Sequence, residues 1–262
     1  MEIYLTVIFG LLGASFGSFI NVVADRLPDG KSLSSPPSHC DACNRRLSIP
    51  DLFPIFSYII LRGRCRYCRT RIPLRVFWVE IGCGILTAFL FWYKGLSLEF
   101  VFITFYSYLF IVIALIDLKH KLILNKIVYP SLLIGLIIAP FFIKTGAVNA
   151  GIAEYGIINA LIGAAAGFTF LLIPALITRG GMGFGDVKMA ALIGLATGFG
   201  EVLVAVLGGI ILGGLTAVIL LVTRIKKRKE VIPFGPFLSL ATIITLIWGS
   251  DILGWYLGFL NT

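Results

Sequence analysis

Seven predominantly apolar runs, at about 3–24, 76–93, 98–116, 122–143, 157–177, 201–223 and 234–259, dictate what this chain can become. Each approaches the roughly 20 residues that carry a helix through the ~30 Å hydrocarbon of a bilayer. An eighth run, 187–199, would make only about 20 Å of helix and is short by itself. With 58% apolar and 13% charged residues among 262, the chain has too little polar surface to cover a water-soluble globule. The expected fold is an all-α polytopic membrane protein of about eight transmembrane helices.

Charge tests that count, because Lys and Arg collect on cytoplasmic loops. The segment 25–75 holds ten of the 22 basic residues against four acids, Asp25, Asp29, Asp41 and Asp51, so it is expected inside. The same side then receives Lys119 and Lys121, next Arg179 and Lys188, and finally Arg224, Lys226, Lys227, Arg228 and Lys229. The other side receives Lys94 and Lys144 with Glu2, Glu99, Glu154 and Glu201. Eight crossings with both termini outside fit every loop, whereas dropping the short run would put the 224–229 cluster outside. The first run follows Glu2 without a basic n-region or a small-residue cleavage site, which reads as an anchor helix. The net charge of +9 is then explained by topology and contact with anionic membrane lipid, with no nucleic acid required. Three parts are expected: a first transmembrane helix (1–24), a cytoplasmic loop domain (25–75) and a multi-helix membrane domain (76–262).

The loop carries Cys40, Cys43, Cys65 and Cys68 in "CDAC" and "CRYC", two Cys-x-x-Cys pairs in a stretch with little core of its own. Thiolates two residues apart on a tight turn reach one Zn²⁺, and two such turns complete a tetrahedral site. A disulfide is the competing reading, which the reducing cytoplasm disfavours. A structural Zn²⁺ would give the loop its fold. His39 could replace a ligand, but four cysteines suffice. Cys83, between Gly82 and Gly84, reads as a packing residue, as do Gly10, Gly13 and Gly17 in the first run.

Acids in or beside apolar spans are costly and so informative. The two with the least excuse are Asp117, in "VIALIDLKHKLIL", and Asp186, in "RGGMGFGDVKMAALIG". Two spans separate them, so both belong at cytoplasmic helix ends and can meet. Two carboxylates sharing a partly desolvated site do not both ionise easily, which leaves one to hold a proton while the other activates a water. That is the acid–base chemistry of an aspartic protease. Gly180, Gly181, Gly183 and Gly185 would let the backbone lie close to a substrate strand. The plain reading of the same stretch is a helix start with an acidic N-cap.

In order along the chain, "GASFGSFINVVADRLP", "CDAC", "CRYC", "VEIGCG", "ALIDLKHKLILNKI", "GMGFGDVKMAALIG" and "IPFGPFL" resemble the bacterial type IV prepilin peptidases, over nearly the whole length. These are GxGD-type aspartyl proteases, similar in that motif to presenilin and the signal peptide peptidases. The resemblance implies a bacterial inner-membrane enzyme that removes the leader of type IV prepilins or type II secretion pseudopilins on the cytoplasmic side, after a glycine. It also implies N-methylation of the exposed residue with S-adenosylmethionine. By position, Asp117 and Asp186 match the catalytic pair, Gly183 and Gly185 the motif glycines, and the four cysteines the zinc site. The chain departs from the family in having Ile123, Leu124 and Asn125 where an Ile-Pro is common, and Asp41 where a proline often follows the first cysteine.

No glycine-rich dinucleotide loop is present, so a site for S-adenosylmethionine must come from the cytoplasmic loop and helix ends, with Glu80 a candidate. The turn Pro233, Phe234, Gly235, Pro236, Phe237 could line a strand-binding groove beside Asp186, and its plain reading is a helix start. Lys188 is a further candidate for substrate contact. A proton-coupled transporter also keeps aspartates in apolar helices, but usually with matching internal repeats. A zinc-bearing scaffold would leave the paired carboxylates unexplained.

Overall fold

A computed structural model of the chain describes residues 2–142, 156–177, 183–224 and 232–260. In order, its elements are α1 (Glu2–Arg26), a 3-10 turn (Ile49–Leu52), α2 (Phe56–Ile60), α3 (Leu74–Lys94), α4 (Leu98–His120) and α5 (Asn125–Phe142). They continue with α6 (Gly156–Ile177), α7 (Phe184–Thr197), α8 (Glu201–Val222) and α9 (Gly235–Leu260). Each of the eight apolar runs is a helix, and the described residues contain no strand beyond two isolated bridges. The fold is all-α and polytopic.

Six helices, α1, α3, α4, α6, α8 and α9, are long and apolar enough to cross a membrane. The other two are shorter, α5 with 18 residues and α7 with 14, or about 21 Å of rise. Nine of the residues from Val187 to Thr197 in α7 are buried, so protein takes the place of lipid around it and a full span is unnecessary. Gly198, at φ 82°, ends the helix by donating its N–H to the Gly194 carbonyl. The next N–H, of Phe199, donates to Asn159 Oδ1 on α6 at 2.8 Å.

The chain divides into two compact units, Met1–Tyr108 and Leu109–Thr262, with the boundary inside α4. In the first, α1 and α3 lie close because their facing residues are small. A Cβ on Gly13 would fall 2.7 Å from the Cys83 carbonyl, and one on Gly17 would fall 2.9 Å from Glu80 Cα. The long loop leaves and rejoins this pair at one place, where Arg75 bonds Asp25 at 2.7 Å and Asn21 Nδ2 donates to the Val76 carbonyl at 3.3 Å.

In the second unit, Gly163 and Gly167 of α6 meet Gly194 and Ala190 of α7, small residues one turn apart on each helix. Their backbones approach where any larger side chain would part them. Four buried hydroxyls are satisfied within their own helices: Ser131, Thr197, Thr242 and Thr245 donate to the carbonyl four residues back. Lys144, Glu154, Arg179, Gly180, Gly181, Lys226, Lys227, Arg228 and Lys229, which carry part of the charge and glycine arguments, lie outside the described residues.

Candidate functional site

Two sets of reactive side chains stand out, one in each unit. In the first unit, the cysteine pairs sit on two turns of the same construction. The Cys40 N–H bonds the Arg45 carbonyl and the Asn44 N–H bonds the Cys40 carbonyl. At the second pair the Cys65 N–H bonds the Thr70 carbonyl and the Arg69 N–H bonds the Cys65 carbonyl. Asn44 and Arg69 occupy equivalent places in the left-handed region, at φ 54° and 61°. A bridge closes each turn, His39 to Arg46 and Arg64 to Arg71.

The four sulfurs lie within 4.8 Å of one another, with Cys40 and Cys68 Sγ 3.7 Å apart. A tetrahedral Zn²⁺ with Zn–S bonds of ~2.3 Å sets sulfur–sulfur edges at ~3.8 Å, so the cluster fits that ion. All four cysteines are free. The Thr70 hydroxyl and backbone hold the Cys68 thiol down at about 6. Cys43 stands at about 11: a backbone hydrogen bond at Arg45 lowers it, but desolvation and the Cys68 and Cys40 sulfurs outweigh that. A cation bound among the four would favour the thiolate form of all of them. His39 is not needed as a ligand, and its Nδ1 lies 2.9 Å from the Pro37 carbonyl oxygen.

Asp51 joins the two turns. Its carboxylate accepts Ser48 Oγ at 2.6 Å, beyond the first turn, and Arg66 Nε at 2.6 Å, inside the second. Arg45 of the first turn lies over the Tyr67 ring of the second, 4.4 Å from its centroid. Burial raises the Asp51 carboxyl, but the bonds from Ser48 and Arg66 outweigh it and leave it below the usual range. Asp51→Asn should therefore loosen the joint by about 1–2 kcal/mol, seen as zinc release at lower urea. The stabilisation is complete above the unfolded carboxyl value and is lost as pH falls through the lower folded one. Parent and variant should accordingly differ to the same extent from about pH 8 to about pH 5, converging only below roughly pH 4. Identical release midpoints at neutral pH would contradict this role.

In the second unit, Asp117 ends α4 and Asp186 opens α7. Asp117 is buried, and its Oδ2 accepts the N–H of Gly235, the first residue of α9, at 2.8 Å. Asp186 is the third residue of α7, and its carboxylate accepts a backbone hydrogen bond from Gly183 at the N-cap. Each acid thus meets a helix N-terminus, where unpaired N–H groups favour negative charge. The Gly183 bond is also half of a capping box, so Asp186 serves the helix start from the third position, while the N-cap expected of it is Gly183 instead. The two carboxylates lie within electrostatic reach of each other.

Glycines make this approach possible. A Cβ on Gly235 would lie 2.7 Å from Asp117 Oδ2, and one on Gly185 would lie 2.9 Å from Ile123 Cβ in the turn after α4. A Cβ on Gly183 would come within 3.2 Å of Asp186 Oδ2. Gly185 therefore seats the start of α7 against the turn that follows Asp117. Ile123, a position at which the chain departs from the expected motif, is its contact.

The remaining expected residues are placed as follows. Lys188 donates to Asn125 Oδ1 at 3.1 Å and lies over the Tyr129 ring, tying α7 to α5. Pro233 precedes α9 and Pro236 is its second residue, where a missing N–H costs nothing. Glu80 belongs to the first unit. It is buried, accepts the Ile55 N–H at 2.8 Å and takes a further bond from Ser18. The bond of Asp51 with Arg66 and the contact of Ile123 with Gly185 escaped the sequence reading, because each joins residues distant in sequence.

Residues 11–94 match the family described as Bacterial Peptidase A24 N-terminal domain, and residues 102–218 match the Type IV leader peptidase family. The chain is 31% identical over 272 residues to a prepilin leader peptidase/N-methyltransferase of Pseudomonas putida, across 95% of this chain and 92% of that one. It is 30% identical over 250 residues to a protein of the same description from Bacillus subtilis (strain 168), across 95% and 96%. A third such protein, from Pseudomonas aeruginosa, is 29% identical over 277 residues, across 95% and 92%. No solved structure matches the chain.

Proposed function

The chain belongs to the prepilin leader peptidase/N-methyltransferase family, a family of membrane enzymes, and from that premise we propose that Asp117 and Asp186 cut a prepilin or pseudopilin leader at the cytoplasmic face. The observation that carries this reading is the placement of the two acids in the end turns of α4 and α7, within electrostatic reach of each other, with the α9 N-terminus donating to Asp117. One aspartate keeps its proton and donates it to the scissile carbonyl oxygen. The other takes a proton from a water, whose oxygen attacks the carbonyl carbon. Collapse of the tetrahedral adduct breaks the C–N bond, and a proton passes to the departing nitrogen. The leader ends in a new carboxylate and the mature chain begins with a new amine.

Proximity requires the glycines. Gly185→Ala is expected to push the start of α7 off Ile123 and slow cleavage by about 10- to 100-fold, as sub-ångström to ångström misplacement does elsewhere. Ile123→Gly in the same chain should restore part of the rate, because the Cβ that the added methyl meets is then gone. Gly235→Ala should slow cleavage comparably without such rescue, since its Cβ meets the carboxylate itself. Parental rates in both single variants would remove the glycines from the site.

Zn²⁺ is the proposed occupant of the four-cysteine cluster, and its role is structural. S-adenosylmethionine is the proposed methyl donor, supplying the methyl group to the amine that cleavage exposes. Glu80 enters as a positioning residue that fixes Ile55 on α3. The proposed membrane arrangement has the 25–75 loop and both aspartates at the cytoplasmic face and both termini outside, supported by the distribution of Lys and Arg. Purified full-length protein incubated with a peptide bearing a Gly-Phe junction should release the segment ending in glycine, and intact peptide would sink the peptidase assignment.

A further inference from the structure

The loop between α1 and α3 exposes apolar surface that its zinc core does not use. Within residues 49–60, Ile49, Leu52, Phe53, Phe56, Ile59 and Ile60 are all exposed, Ile49 and Ile60 by 78% and 75%. The one acid of that stretch, Asp51, is taken up by Ser48 and Arg66. A water-facing loop rarely shows so many large apolar side chains together.

The segment is tied to a membrane-crossing helix. Tyr58 of α2 stacks on Phe77 of α3 with centroids 4.7 Å apart, and the Ile55 N–H is held by Glu80 of the same helix. At that end of α3, Leu74 and Trp78 are themselves exposed, as lipid-facing residues of a span must be. The apolar stretch therefore continues a surface that already meets the bilayer.

Positive charge lies immediately beside it. A cavity of about 420 Å³ is lined by Ile60, Leu61, Arg62, Arg64 and Arg69. None of these three arginines takes part in an ion pair among the described residues. Guanidinium groups without carboxylate partners around an open cavity match a phosphate diester, which accepts paired N–H donors. Apolar side chains next to cationic ones are the pattern of an interfacial anchor on an anionic membrane.

We propose that residues 49–69 anchor the zinc loop to anionic phospholipid, with Phe53, Phe56, Ile59 and Ile60 in the acyl boundary and a lipid phosphate held by Arg62, Arg64 and Arg69. The anchor fixes the loop's height above the bilayer, and it stands independently of the peptide chemistry. The occupant is lipid because the apolar and cationic parts are adjacent and the apolar part runs on into a span.

The test uses full-length protein with a benzophenone amino acid in place of Phe53 or Ile60, reconstituted in phosphatidylethanolamine vesicles with phosphatidylglycerol or with phosphatidylcholine. Ser34, exposed in the same loop, is the control position. Irradiation should give phospholipid adducts at positions 53 and 60 and not at 34, with phosphatidylglycerol favoured. Each of Arg62→Gln, Arg64→Gln and Arg69→Gln should reduce that preference by about fivefold, with zinc content unchanged. Adducts to a second protein chain, or none in zinc-loaded protein, would overturn the anchor. Loss of the phosphatidylglycerol preference in inorganic phosphate, with no lipid adduct remaining, would show a free-anion site and overturn it equally.

Discussion

Asparagine at Asp117 or at Asp186 should lower leader cleavage by roughly 10³-fold or more, because either change removes the ability to cycle a proton while keeping size and most hydrogen bonding. In Asp117→Asn the Gly235 N–H can still donate to the side-chain amide oxygen, so the end of α4 should keep its place against α9. Loss of rate would then report chemistry and not disorder. The double variant should be hardly slower than either single one, since groups that act on one water fail together. Multiplicative losses would mean that the two acids act in separate steps.

Zinc removal should have the largest effect on stability. Cys65 is buried and its N–H and carbonyl both belong to the second turn, so Cys65→Ser takes a ligand from the centre of the cluster. Metal content should fall from about one Zn²⁺ per chain to a small fraction of that, with the 25–75 loop becoming protease-sensitive. The scale is set by structural zinc, whose binding is worth roughly 10 kcal/mol or more in small domains. α1 and α3 should survive, because their contact rests on Gly13 and Gly17 and not on the metal. Metal-free parent protein with a Cys40–Cys68 disulfide would reverse the assignment, since those sulfurs stand 3.7 Å apart here against ~2.05 Å in a disulfide.

Much of this molecule was legible in its sequence for simple physical reasons. Apolar runs became helices because lipid and a helical interior both demand satisfied backbone groups. Asp117 and Asp186 were paired by counting two intervening runs, which would return the chain to the same face; in the structure each acid lies in the end turn of a helix, and the two are within electrostatic reach. The spacing of the four cysteines was enough to expect the cluster.

What remained hidden depends on contacts distant in sequence. Gly185 was expected to make room for a substrate strand, and the contact observed for it is Ile123, sixty-two positions earlier by number. Gly235 was read as part of a turn, whereas its N–H is a partner of Asp117. The repeated small residues Gly163, Gly167, Ala190 and Gly194 did carry a visible four-residue spacing, but only packing shows that they face each other. The bond from Ser48 to Asp51 is a local capping box that the sequence Ser-Ile-Pro-Asp carries, but the second partner, Arg66, is brought to Asp51 only by the fold of the loop.

The most direct test separates the two reactions in one preparation. Purified Asp186→Asn protein in lipid, with zinc content equal to the parent, is given either an uncut prepilin-type peptide or the same peptide already cut after glycine, together with labelled S-adenosylmethionine. No leader should be released from the first, while the second should gain methyl label at close to the parental rate, because methyl transfer needs no peptide-bond water. Substantial leader release by this variant would show that the Asp186 carboxylate is a helix-start feature alone, and the catalytic pairing with Asp117 would be wrong.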